Sequence, residues 1–145
     1  VDEAQFNSSE AYFLAARAQT IDGAMQRNFI NLFPDDFYAI ASEVKSDSLV
    51  AQANLAPNNL IFHGPYWYLP RGSYDLLVIG QINGSFKLSI AEKFGFPIAE
   101  FAVSSESLSF NLIIENDLIH FEMVGRADEG TTSFSIQCIR LTRLG

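Results

Sequence analysis

Hydrophobic and polar positions follow two rhythms along this chain, and the change falls near residue 45. Before it, apolar side chains recur at spacings of three and four, the helical period. Ser8 or Ser9 offers an N-cap ahead of EAYFLAARAQ, with Glu10 in the first turn. Tyr12, Ala15, Ala16 and Gln19 mark one stripe and Phe13, Ala16 and Thr20 a neighbouring one, which predicts a helix over 9–20 ended by Asp22-Gly23. In AMQRNFINLF the positions Met25, Phe29, Leu32 and Phe33 predict a second helix, with Pro34 closing it or opening the next turn. Asp35 to Ile40 suit one more short helix, its acids at the positive end.

From Asn58 onward the period is two. LIFHGPYWYLP reads as a strand interrupted at Gly64-Pro65 and ending at the turn Pro70-Arg71-Gly72. SYDLLVIGQI follows, then Asn83-Gly84, a strong hairpin signal because a type I′ turn needs positive φ at both central residues. SFKLSIAE alternates Phe86, Leu88 and Ile90 against Lys87 and Ser89, and Pro97 makes FPIAEFAV an edge strand. SLSFNLIIE, DLIHFEMVG and TSFSIQCIRLTRL complete the series, separated by turns at Glu115-Asn116-Asp117 and Asp128-Glu129-Gly130. Short strands about 10 residues apart are the pattern of an antiparallel β-sandwich or barrel. The expected class is mainly β, with residues 1–44 as a helical N-terminal segment (a cover or a tether) and residues 45–145 as the sandwich domain.

One feature of the alternation constrains the packing. In the last strand Phe134, Ile136 and Cys138 fall on one face, but Ile139 and Leu141 fall on the other. LLVI and LIIE also place apolar residues on both faces. Either bulges shift the register, or one sheet is covered on its outside, and the amphipathic N-terminal helices are the obvious cover.

Composition narrows the functional classes. The 145 residues are 48% hydrophobic and 18% charged, which excludes a disordered chain. Lys and Arg number 9 against 17 Asp and Glu, a net charge of −8 that argues against a nucleic-acid partner. No apolar run reaches the roughly 18 residues of a membrane span, so no membrane insertion is expected. The opening VDEAQFNSSE lacks the basic and apolar regions of a signal peptide. A single Cys138, inside a strand, excludes an intrachain disulfide and reads as a buried thiol.

Catalytic patterns are absent. His63 and His120 show no metal-binding spacing, no GxSxG elbow surrounds a serine, and the acidic pairs Asp35/Asp36, Glu115/Asp117 and Asp128/Glu129 sit at turns or helix starts. His120 and Glu122, two apart on one strand, read as a solvated or hydrogen-bonded pair. The expectation is a protein without catalysis, metal or cofactor. Asn7-Ser8-Ser9 and Asn83-Gly84-Ser85 match the glycosylation sequon, which matters only in a secretory host.

The densest polar and aromatic cluster runs from Phe62 to Tyr74. Tyr and Trp rings stack on the apolar faces of sugars while their OH and NH groups bond to hydroxyls. In a regular strand Tyr66 and Tyr68 share one face and His63 and Trp67 the other, unless Gly64-Pro65 hosts a bulge. The same rings also suit a core. Tyr66, Trp67 and Tyr68 are the stacking candidates, with Trp67 the best single candidate for exposure, and His63 and Arg71 are the hydrogen-bonding flanks.

The stretch LIFHGPYWYLPRGSYDLLVIG, with Gly64-Pro65-Tyr66, Leu69-Pro70, Gly72 and Tyr74, resembles the first strand pair of β-sandwich domains appended to, or encoded beside, bacterial glycosyltransferases and cell-surface polysaccharide proteins. CIRLTRL is similar to their closing strand, and the likeness covers roughly residues 45–145. The resemblance implies a jelly-roll-like, non-catalytic module that binds a cell-surface or secreted polysaccharide, in the bacterial cytoplasm or at the cell surface. The alternative is a structural domain of a larger assembly, docking or self-associating through the N-terminal helices or a sheet edge.

Overall fold

The computed structural model describes residues 29–51, 55–93, 95–129 and 133–144. They form β1 (Phe29–Leu32), a 3-10 turn (Pro34–Asp36), β2 (Tyr38–Ala39), β3 (Ser42–Lys45), β4 (Ser48–Ala51), β5 (Leu60–Leu69), β6 (Gly72–Asn83), β7 (Ser85–Glu92), β8 (Phe96–Ser104), β9 (Ser109–Ile114), β10 (Leu118–Ala127) and β11 (Ser133–Arg143). All pairings are antiparallel. One sheet runs β3-β4-β11-β6-β9, with β1 on the C-terminal half of β11; the other runs β2-β5-β10-β7-β8. From β4 onward each strand passes to the other sheet except from β7 to β8, which pair within one sheet. The last two strands insert centrally: β10 lies between β5 and β7, and β11 between β4 and β6.

The two-residue rhythm builds the core between the sheets. Phe86, Leu88 and Ile90 of β7 are fully buried while Lys87 and Ser89 point away, and Tyr74, Leu76 and Val78 repeat the pattern on β6. Phe62, Phe86 and Phe134 meet at the centre, with ring centroids 4.8–6.2 Å apart. Phe101 and Phe110 stack at 4.8 Å between the edge strands β8 and β9. The lone Cys138 is buried, and desolvation raises its thiol pKa.

Bulges reconcile the alternation with burial. On β11, Ile136 faces Gly80 and Cys138 faces Ile79, so Gln137 is the extra residue. The strand therefore turns over once, and Phe134, Ile136, Ile139 and Leu141 all face the core. Gly80 stands opposite the bulge, where a Cβ would lie 2.2 Å from the Ser135 carbonyl oxygen. On β5 one extra residue near Ile61 buries both Ile61 and Phe62, and a second at Tyr66, which has φ of +66°, follows the cis Gly64-Pro65 bond.

Several sequence expectations are corrected. The helix over 9–20 lies outside the described residues, as does the first part of the second. Phe29–Leu32 is a strand, because Ile30 and Leu32 face the core opposite Leu141 and Ile139 at strand, not helical, spacing. Of the third helix only a 3-10 turn remains, since Phe37 must turn inward against Phe62, 5.1 Å away. Residues 29–44, read as helical, thus supply strands to both sheets, and no helix longer than that turn occurs among the described residues. Asn83-Gly84 makes no hairpin: β6 and β7 belong to different sheets, and of the two residues only Gly84 has positive φ. The two-residue hairpin with positive φ at both central positions is Ser46-Asp47, between β3 and β4.

Candidate functional site

Alternation that sends Phe121 and Met123 of β10 inward sends Glu122, Val124 and Arg126 to the outer face of the β2-β5-β10-β7-β8 sheet. Pairing registers extend that face into rows. Tyr38, His63, Val124, Ser89 and Glu100 lie side by side across all five strands. The adjacent row brings Pro65, Glu122, Ala91 and Pro97 together, and the row on the other side Leu60, Arg126, Lys87 and Ala102. The short side chains of Val124, Ser89 and Ala91, between His63 and Tyr66 on one side and Pro97 and Glu100 on the other, leave a groove of about 420 Å³. Its floor is Val124 and Ala91, and its polar groups are His63, Tyr66, Ser89, Glu100, Glu122 and Arg126.

The β5 bulge brings His63 and Tyr66, three residues apart, to the same side. The Tyr66 hydroxyl donates to Glu122 Oε2 at 2.6 Å. With that proton committed, the phenol oxygen accepts from His63 Nδ1 at 2.8 Å, and Nδ1 stands 3.4 Å from Glu122 Oε2. Burial, then the bond to Glu122 and its charge, push the Tyr66 pKa well above the ordinary phenol value, so it stays a donor. Glu122 is 5% exposed, the buried charged residue among the described residues. Above them, Tyr38 stacks on His63 with centroids 5.1 Å apart and lies 6.1 Å from Tyr66. Tyr38 itself is 58% exposed, an open aromatic face at the rim.

The five residues singled out from sequence are divided. His63 and Tyr66 line the groove. Trp67 does not project outward: it is 8% exposed within the core cluster, because the extra residue at Tyr66 turns the next side chain inward opposite Phe121. Tyr68 is half-buried against the core and hydrogen-bonds Asp117. Arg71 is exposed at the β5–β6 turn, its backbone N–H donating to Asp117 Oδ1 at 2.8 Å. That backbone bond, followed by smaller effects including the Tyr68 bond, holds the Asp117 pKa below its usual value. From His63 to Arg71 the strand extends roughly 26 Å, so Arg71 serves the far end of the sandwich. Glu122 pairs with His63 and Tyr66. Tyr38 was hidden by a helical reading of its segment, whereas Glu122 carried a signal as the lone acid among the apolar residues of FEMVG. Among the described residues no three His, Cys, Asp or Glu side chains are grouped to hold a metal ion.

No protein-family model matches the sequence, and neither does any curated protein. Solved structures do share the fold. The Glycosylation Associate Protein (Gap123) complex from Streptococcus agalactiae matches over 80% of this chain and 44% of that one, at 12% identity and a TM-score of 0.56. The present chain thus spans less than half of that neighbour. The structure of accessory secretory protein 1, 2 and 3 of Streptococcus pneumoniae matches over 74% of this chain and 89% of that one, at 12% identity and a TM-score of 0.51. A more distant likeness, with a TM-score of 0.46 and 13% identity, is to the CBM36-1 domain of a multidomain xylanase from the hindgut metagenome of Trinervitermes trinervoides, over 81% of this chain and 99% of that one. At these identities the likeness establishes the two-sheet β architecture.

Proposed function

We propose that this chain is a non-catalytic carbohydrate-binding module, a jelly roll in which β4-β11-β6-β9 faces β5-β10-β7-β8, and that it binds a polysaccharide in the groove on the outer face of the second sheet. The observation that carries this reading is the groove's composition. His63 and Tyr66 wall an apolar floor of Val124 and Ala91, hydrogen-bonding groups from four strands flank it, and the exposed ring of Tyr38 stacks on His63 at the outer rim. A pyranose ring needs those three things: a flat apolar partner for its C–H face, a shallow floor, and donors and acceptors at its edge. Of the residues first singled out, His63 and Tyr66 serve this site directly. Trp67 supports it from beneath by packing, and Tyr38 and Glu122 join it.

Glycan-array screening followed by calorimetry tests the reading. The wild type is expected to bind at least one polysaccharide, and Tyr38→Ala to weaken that binding about tenfold. Arg71→Ala, remote from the groove, leaves it unchanged. Failure of the wild type to bind any saccharide, or equal binding by Tyr38→Ala, removes the site.

A second reading, docking through a sheet edge, is favoured by a separate observation. Phe96, Ile98 and Ile113 are 64%, 38% and 67% exposed around a recess of about 320 Å³ between the edge strands β8 and β9. The Streptococcus agalactiae neighbour is, by its name, a glycosylation-associated complex, a setting that suits either reading. Loss of a co-purifying partner or of self-association in Ile113→Lys, with glycan binding intact, would assign the recess to docking.

A further inference from the structure

We infer that the deep end of this groove binds an ammonium group, and that the glycan it selects carries unacetylated amino sugars; this rests on the carbohydrate-binding reading above. Glu122 motivates the assignment. A carboxylate in an apolar strand is costly to bury unless its charge is compensated. Here Tyr66 and His63 attend Oε2, while Oε1 takes none of these bonds and is left open to the groove. Arg126 lies four residues along the same strand, about 13 Å away at the backbone. Its guanidinium instead bonds the Asn58 carbonyl at 3.5 Å, and Lys87, across from it, bonds Asn58 Oδ1 at 3.4 Å. Among the described residues the ion-pair partner of Glu122 is His63 and not a Lys or Arg, so no permanently charged cation meets it there.

The surroundings suit a ligand that brings the missing charge. His63 and Tyr66 contact the carboxylate, Tyr38 packs against both of their rings, and tyrosine faces attract cations. An ammonium can donate to Oε1 in a charge-assisted bond, while its own pyranose ring lies over Val124 and Ala91. A hydroxyl at the same place fills the bond without supplying charge. N-acetylation removes the charge altogether. Uronate or sulfate groups meet Glu122, and then Glu100 on the far wall, where Ser89 bonds the Glu100 carboxylate at 3.3 Å. The −8 net charge of the whole chain adds a long-range preference of the same sign.

Calorimetric titration with four probes tests this inference: a β-1,4-linked glucosamine oligomer, its fully N-acetylated form, a galacturonate oligomer, and tetralysine, all below the amine pKa. The wild type is expected to bind the glucosamine oligomer about tenfold or more tightly than the acetylated form, to lose that margin in high salt, and to reject the uronate. Glu122→Gln, which keeps an acceptor for Tyr66, is expected to bind both glucosamine forms equally, and Glu100→Gln to retain most of the margin. Equal wild-type affinity for the free and acetylated oligomers overturns the ammonium site while leaving the module reading intact. So does a margin that survives in Glu122→Gln, or equal affinity for tetralysine, which would make the site a reader of basic peptides. No saccharide binding at all overturns both. Should Glu122→Gln fail to fold by circular dichroism, the wild-type comparison between the two oligomers decides alone.

Discussion

Gly125 shows how little room the core leaves around a single residue. A Cβ built there would lie 2.2 Å from the ring of Phe62, itself wholly buried. Gly125→Ala is therefore expected to cost about 3 kcal/mol in urea denaturation, the upper range for overpacking, and trimming the opposing ring with Phe62→Leu should recover part of it in the double variant. Gly80→Ala is expected to show no such rescue, because its contacts are the backbone of Ser135 and Ile136. Tyr74 gives a different kind of test. Its hydroxyl donates to the Pro70 carbonyl, and burial raises its pKa from 10.0 to about 12. A folded-state pKa above the unfolded one means the neutral phenol is favoured by folding, so its contribution is complete below pH 10.0 and declines as pH rises towards about 12. Denaturation midpoints measured across that window should fall for the wild type and fall less for Tyr74→Phe.

At the scale of strands, the bulge absorbs the extra residue Gln137 so that the side chains on either side of it keep their faces. Without it, Cys138 still faces Ile79 and Ile139 still faces Val78, so its deletion preserves the faces of Ile139 and Leu141. The deletion variant is expected to fold with native-like chemical-shift dispersion, whereas inserting one alanine after Ile139 turns Leu141 outward and should abolish folding. This bulge also explains what the sequence pattern left open. Alternation located most strands from Leu60 onward, and the misfit of Phe134 and Ile136 with Ile139 and Leu141 announced a discontinuity. Its place was not legible, since a bulge depends on the approach of Gly80 across the sheet rather than on local composition. Asn83-Gly84 misled for a related reason: local turn preference does not say whether the two flanking strands pair with each other or with strands remote in sequence. Phe29 to Tyr38 had helical spacing by coincidence of a strand, a 3-10 turn and a second strand in quick succession.

For the molecule as a whole, the groove was only half legible because it is a product of strand order. The row Tyr38, His63, Val124, Ser89 and Glu100 joins five strands, and nothing near Tyr38 in sequence announces that His63 will lie beneath it. Long-range consequences follow from charge and exposed surface in the same way. At neutral pH a net charge of −8 keeps copies apart; near the sequence pI of about 4.5 that repulsion vanishes. The largest remaining apolar exposure at the β8–β9 edge, Phe96 and Ile113, then meets no electrostatic barrier. Light scattering against pH should show association peaking near pH 4.5. Phe96→Lys with Ile113→Lys is expected to suppress the peak, while Ser105→Lys with Gln137→Lys, exposed positions with the same charge change, only shifts it upward in pH. If both double variants merely shift the maximum, net charge alone governs association and the edge contributes nothing. Suppression confined to the first pair identifies the β8–β9 edge as the surface through which copies meet.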